Sequence, residues 1–412
     1  MPRSLCTLLP PSALLVVLFC SAMSAVVGLS AAPRSVVIVG GGIHGGAIAY
    51  FLKERFGVDS TILEKAEQVA PAASGKSGGF LAREWGSGPT VELHQRSFDL
   101  HVELAKTLRV DSFRPVDVLS VQVGRKGATG VSWLDRVAAT APMKGAAAQV
   151  TPLELTEKLI AASGAEVRLG VCASGVRIES GRVTGVTLDD GSLLATDAVV
   201  VAAGPWSGVL LEDWFGVACP MQGVRSTSLV FRDAAGAERV TSEFAALFCS
   251  EDSNGCHVEV YPRPDGSLYL CGLGGSAYLA GDDLRPGGSV FQPGAVQADP
   301  ARVAAGLRSF RSMSSLGDGE PVVTQACMRP LLPDGLPVMG AVTPDISGAF
   351  VSSAHNCWGI LWAPASGLAM AELIATGSSK VVDLRPFSPG RFITSKPRRG
   401  RKQGEKDVGE QW

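Results

Sequence analysis

The sequence predicts an α/β chain in which a Rossmann-like domain is interleaved with a domain built on an antiparallel sheet. Three observations lead there. Residues 35–64 read as buried strand, glycine turn, helix and second strand. Residues 197–208, DAVVVAAGPWSG, repeat the theme of a buried apolar strand running into small residues. Between Met221 and Gly274 the pattern changes to paired strands, after which the apolar α/β character returns. A chain of 412 residues is long enough for such an interleaved pair.

In chain order, there is no charge between Arg3 and Arg34, and residues 13–20 are the apolar run ALLVVLFC, followed by small residues. That is the layout of a targeting segment over residues 1–34, leading to the secretory pathway or an organelle. The alternative is an uncleaved membrane anchor, since residues 12–29 approach the length that begins to span a bilayer. Pro10, Pro11 and the small residues favour cleavage.

Val36, Val37, Ile38 and Val39 form an unbroken β-branched run, as in a strand buried on both faces of a parallel sheet. Gly40, Gly42 and Gly45 follow at GxGxxG spacing. Gly40 permits the tight turn, Gly42 lets a pyrophosphate approach the backbone, and Gly45 lets the helix pack closely on the strand. The helix N-terminus adds free N–H groups and a partial positive charge. Ile48, Phe51, Leu52 and Phe56 repeat at helical intervals, and the second strand ends on Glu64, placed to accept hydrogen bonds from an adenosine ribose. His44, inside the turn, reads as a surface position without a catalytic role.

Residues 72–80, AASGKSGGF, form a small glycine-rich loop suited to close approach by a flat ligand. Residues 90–108 are an amphipathic helix, 113–123 a strand, and 151–162 a helix opened by Thr151 and Pro152. Strands follow over 166–170, 175–179, 183–188 and 198–202. In the second domain, residues 224–231 and 257–272 carry strand patterns around a Pro264-Asp265-Gly266 turn, 280–300 is a loop, and 301–313 a helix. The domains are therefore 35–220, with some elements of the second sheet, then 221–325, then a return over 326–387, and a disordered basic tail over 388–412. Such an insertion places a cleft at the junction, where ligand sites form.

The net charge of −2, with its one basic cluster in the tail at Lys396, Arg398, Arg399, Arg401 and Lys402, leaves no folded surface for nucleic acid. Nine scattered cysteines without a CxxC pair make neither a zinc framework nor a dense disulfide scaffold, and no metal site is expected.

Four patches then act together: GGGIHGGAIAYFL with Glu64; ASGKSGGFLA; VVVAAGPWSG; and ACMRPLLPDGLPVMG followed by SSAHNCWGILWAPASGLAMAELI. Over residues 35–377 the chain resembles the FAD-dependent amine and amino-acid oxidoreductases, the superfamily of D-amino-acid oxidase, glycine oxidase and sarcosine oxidase. The resemblance makes the first domain FAD-binding and the second a substrate domain. It implies that Glu64 and Lys65 face the adenosine ribose, and that Ser74, Gly75, Lys76, Gly78, Gly79 and Phe80 run along pyrophosphate and isoalloxazine. It puts Val176 at the adenine, Ala203, Gly204 and Trp206 near adenosine and pyrophosphate, and His355 with Gly359, Ile360 and Leu361 along the flavin ring. Backbone N–H groups of the last three would favour the reduced, anionic flavin. Trp206 and Trp358 have core filling as an alternative role.

His355 and Arg329 are the catalytic candidates that the resemblance implies. A guanidinium fork at Arg329 suits a substrate carboxylate, with the holding of a loop as the alternative. Cys327 coincides with the cysteine that sarcosine oxidases link covalently to flavin, although cysteine also occurs there without the bond. One departure concerns oxygen. Sarcosine oxidases use a lysine on the substrate-domain sheet, and this sequence has none between Leu159 and Ser379, Leu270 or a neighbour standing on that strand. The electron acceptor is thus oxygen or another partner. The expected activity is oxidation of the C–N bond of a small amine or amino acid by hydride transfer to flavin N5. Such chemistry needs no strongly basic side chain if the amine enters deprotonated. An FAD-bearing scaffold with little turnover and an NAD-dependent dehydrogenase are the rival readings.

Overall fold

The computed structural model describes residues 32–232 and 237–393. Nearly all of the proposed targeting segment, and the tail beyond residue 393, lie outside the described residues.

The strand Ser35–Val39 sits at the centre of a six-stranded sheet whose order is Val338–Ala341, Ala349–Ser353, Ala198–Val201, Ser35–Val39, Asp59–Glu64 and Glu166–Leu169. All neighbours run parallel except Val338–Ala341, which pairs antiparallel at the edge. The period of two divides each apolar strand between two cores. Val36, Ile38 and Val200 join one with the helices Ile43–Phe56, Pro152–Ser163 and Gly359–Thr376. Val37, Val39, Val199 and Val201 meet Val183, Val186 and Leu188 of a three-stranded antiparallel sheet on the other face. The helices approach closely where side chains are smallest. A Cβ on Gly367 would lie 2.6 Å from the Cβ of Ala47, and one on Gly46 would lie 2.9 Å from Ile160.

The second sheet has eight strands and draws on three parts of the chain: Asp117–Val123 and Ala138–Pro142, the run from Gln222–Arg232 to Ala277–Leu279, and Val323–Leu331. It is antiparallel apart from one pair, Ala245–Cys249 with Asp117–Val123. Its back, with Leu229, Phe231, Leu247, Val260, Leu268 and Leu270, packs on the helix Pro300–Met313, whose N-terminus is capped by Asp299. Its front carries Tyr261, Tyr269 and Phe248.

The structure revises three expectations. Residues 326–331 do not return to the first sheet, because Val323–Leu331 pairs with Gln222–Arg232 along its whole length; the chain rejoins the first sheet only at Val338–Ala341. The loop at residues 72–80 contains a helical turn, Ala73–Lys76, and ends in the strand Phe80–Ala82. The segment after Ser388 is at first ordered: Gly390–Ile393 is helical, and Arg391 Nε lies 2.7 Å from Asp334 Oδ2.

Candidate active site

A cleft of about 940 Å³ runs from the C-terminal end of the first sheet to the front of the second, lined by residues of both. Its floor is the glycine turn. Gly40 has φ +119°, and a Cβ there would lie 2.4 Å from Ala202 O. Gly45 is needed because its Cβ would meet Gly40 O at 2.1 Å. Gly42 differs, since only Ser74 Oγ, at 3.0 Å, would meet its Cβ; the rest of that space opens into the cleft. Ile43 N–H donates to Ser74 Oγ at 3.0 Å, joining the turn to the loop that follows the second strand.

At one end of the cleft, Glu64 is buried and its carboxylate accepts from Gly41 N–H and Ala66 N–H, both at 3.0 Å. Burial pushes its carboxyl upward in pKa, and the two backbone donors partly offset this. Lys65 lies 4.7 Å over the Trp206 ring and 3.8 Å over Phe291, and donates to Phe291 O; burial pulls its ammonium down to about 8. Trp206 Nε1 donates to Val290 O at 3.1 Å, so this tryptophan both lines the cleft and fills core. Ala203 and Gly204 complete this wall.

Five expected site residues lie off the wall, Gly45 among them, since it packs under Gly40 O. Val176 belongs to the outlying three-stranded sheet, and Val171 to Ser174 line the cleft instead. Gly75 is packed under Ala70 O, 2.2 Å from where its Cβ would be. Lys76 turns to Ala326 O at 3.2 Å. The side chain of Leu361 is in the helical core. Ser74, Gly78, Gly79 and Phe80 do line the cleft. Gly79 has φ +79°, and a Cβ on Gly78 would collide with Tyr261 at 2.3 Å.

The other end is formed by the turn after Ala349–Ser353, where Ala354 and Asn356 have φ of 65° and 47°, an uncommon backbone for residues other than glycine. His355, Asn356, Trp358, Gly359 and Ile360 face the cleft from this turn. Arg329 reaches it from the second sheet: its Nε donates to Ser226 Oγ at 3.3 Å and an Nη to Asn356 Oδ1 at 3.1 Å. Cys327, two residues away on the same strand face, also lines the cleft, with its thiol pushed up by burial. Leu270 points into the opposite core, so Tyr269 and Cys271 hold the inward positions of that strand.

Sequence reasoning missed two residues here. His44 is not a surface position: it lines the cleft, and its ring stacks on His355. Glu259 lines the cleft near Arg329 and accepts from Tyr261 OH and from Cys271 Sγ at 3.3 Å. The alternation of His257, Glu259 and Tyr261 with apolar Val258 and Val260 was the available signal, because in an inward-facing strand an acid at an alternate position points at the ligand.

This arrangement fits a dinucleotide cofactor. Gly42 leaves a cradle beside an N-terminal helix turn, and the buried Nδ1 of His355 has no hydrogen-bond partner among the described residues. The family described as FAD dependent oxidoreductase matches residues 35–373. An oxidoreductase of Schizosaccharomyces pombe is 27% identical over 409 residues, covering 86% of this chain and 98% of that protein. The glycine oxidase of Pseudomonas putida is 25% identical over 402 residues, with coverage of 86% and 98%. The crystal structure of glycine oxidase from Geobacillus kaustophilus superimposes with a TM-score of 0.68 at 23% identity, over 86% of this chain and 98% of that one.

Proposed function

The chain belongs to the FAD-dependent oxidoreductase family, and from that premise we propose that it oxidises the C–N bond of a small amino acid or amine by hydride transfer to flavin N5. FAD is the cofactor and supplies the two-electron acceptor. The glycine turn, Ser74, Trp206 and the 355–360 turn are the residues that would hold it.

The observation that carries the amino-acid reading is Arg329. Its guanidinium lies in the cleft, fixed from one side by Ser226 and from the other by Asn356 of the turn expected along the flavin. A fork anchored in this way is already oriented for a planar carboxylate, which would hold the substrate's α-carbon over the ring. Tyr261, Tyr269, Phe80 and Trp358 line that space with aromatic surface, which would keep water out once cofactor and substrate fill it. The α-carbon gives up its hydrogen with the electron pair, the nitrogen lone pair forms C=N, and the imine hydrolyses. Electrons leave to oxygen or to another acceptor. We further propose that the N-terminal segment directs the chain to the secretory pathway or an organelle, which N-terminal sequencing of the mature protein tests.

The test is the absorbance spectrum of the purified holoprotein, followed anaerobically as candidate amines are added. Bleaching by an amino acid supports the reading. An unchanged flavin spectrum across a broad panel of amines and amino acids would reject it in favour of a cofactor-bearing scaffold.

A further inference from the structure

Glu259 occupies the substrate end of the cleft, and the roles assigned above leave it without one. Together with Tyr261 it faces inward from the strand Glu259–Pro262, while Val260 between them is buried in the opposite core. Its Oε2 is fixed by the Tyr261 hydroxyl and the Cys271 thiol. Arg329 faces the same space from another strand of the same sheet, close enough for each charge to act on its surroundings in common. Among the described residues, however, no ion pair joins the two. A fixed anion and a fixed cation that share one apolar space without neutralising each other are the complement of a zwitterion.

We propose that Glu259 binds the ammonium group of a zwitterionic α-amino acid and takes its proton. This rests on the amino-acid reading above and names the protonation state in which the substrate enters. An N–H bond of the ammonium breaks, an O–H bond forms on Glu259, and no electrons change hands. The nitrogen lone pair so released is the one that forms C=N when the α-hydrogen leaves as hydride to the flavin. The groups that face Glu259 suit this task. Burial pushes its carboxyl up, towards the range of a useful proton acceptor, while hydrogen bonds from Tyr261 and Cys271 and the charges of Arg329 and His257 oppose that rise. Cys249 and Cys357 are the remaining titratable neighbours; burial holds the Cys249 thiol up, in the neutral form, while Cys357 is exposed along the cleft.

The test uses Glu259→Gln holoprotein, which keeps the side chain's size. In anaerobic flavin reduction by an amino acid, the variant should be slower by about 100-fold or more near neutral pH. The deficit should shrink as pH rises towards about 10, because the free-amine fraction grows about tenfold per pH unit below the amine pKa. A deficit equal at every pH, or none, overturns the proposal. Calorimetric binding adds a readout independent of turnover. 2-Aminoisobutyrate, a zwitterion without an α-hydrogen, should bind the variant about tenfold or more weakly than the parent, since a charged partner is lost. Pivalate, which has the same shape and carboxylate but no nitrogen, should bind both alike. Equal changes for the two ligands overturn the proposal. If neither ligand binds the parent and no amino acid bleaches it, the amino-acid reading falls too; a parent that binds and is reduced, beside an unaffected variant, overturns the Glu259 assignment alone.

Discussion

The imidazoles of His44 and His355 stack face to face, with ring centroids 3.6 Å apart and planes inclined by 18°. One comes from the first glycine turn and the other from the turn after the strand Ala349–Ser353, so the pair links the two ends of the first sheet's chain at the cleft. His355 Nε2 shares a hydrogen bond of 3.2 Å with Ser366 Oγ. Burial pulls His44 down to about 3 and His355 well below the usual range, the neighbouring ring adding to the effect on His355.

This pair should make stability sensitive to mild acid. The folded protein keeps both rings neutral, whereas the unfolded chain takes up protons as pH falls below about 6.5. Their contribution is therefore complete above that pH and is lost as pH falls, with a slope approaching about 1.4 kcal/mol per pH unit for each ring. His44→Phe keeps an aromatic face against His355 and removes one proton site. Thermal unfolding of the holoprotein at about pH 7 and pH 5 should show a smaller drop for the variant than for the parent. Equal drops would mean that His44 titrates alike folded and unfolded.

Gly42→Val should yield a folded protein depleted of FAD. Its Cβ would press on Ser74 Oγ at 3.0 Å, and the two methyl groups would fill the cradle beside the helix N-terminus. The flavin-to-protein absorbance ratio of the purified variant measures this, and a ratio equal to the parent's refutes it.

Acid precipitation should leave the flavin in solution. The Cys327 thiol is buried and pushed up, which disfavours the thiolate that a thioether linkage needs. Yellow colour remaining with the pellet, and lost from it in Cys327→Ser, would establish a covalent bond.

Arg329→Lys keeps the charge but loses the fork, while Arg329→Ala loses both. Loss of a charge-assisted pair in a shielded cleft costs on the order of 2–5 kcal/mol, or about 30-fold to several thousand-fold in affinity. Reduction by amino acids should weaken in that graded order with flavin content unchanged. An amine without a carboxylate should be affected little. Equal losses for both classes would show that Arg329 supports the turn through Asn356 rather than the substrate.

Much of the first sheet was legible because its signals are local. Val36 to Val39 and Ala198 to Val201 are apolar on both sides of the backbone, which only a doubly covered strand needs. Gly45 was readable because the turn itself brings Gly40 O against it, and Gly40 because the turn demands a positive φ there, although the approach of Ala202 to Gly40 is a long-range contact. Residues 326–331 were misassigned for the opposite reason. An alternating strand announces that it has an inside and an outside, but not which sheet it joins, and here long-range pairing with Gln222–Arg232 decided. Val176 lies two residues beyond Ser174 on the strand whose first residues, Ala173 and Ser174, line the cleft with Val171 and Cys172, a difference of placement that no local pattern fixes.

By itself, then, the sequence determined the strand, glycine turn and helix that cradle the cofactor, and the sheet it sits on, since these follow from backbone sterics and the burial of contiguous residues. Tertiary structure alone decided what meets across the cleft: His44 on His355, Arg329 held by Asn356, and Glu259 near Arg329 without pairing. Those relationships join residues tens to hundreds of positions apart. Their electrostatics depend on how much water each retains, a quantity that no local pattern encodes.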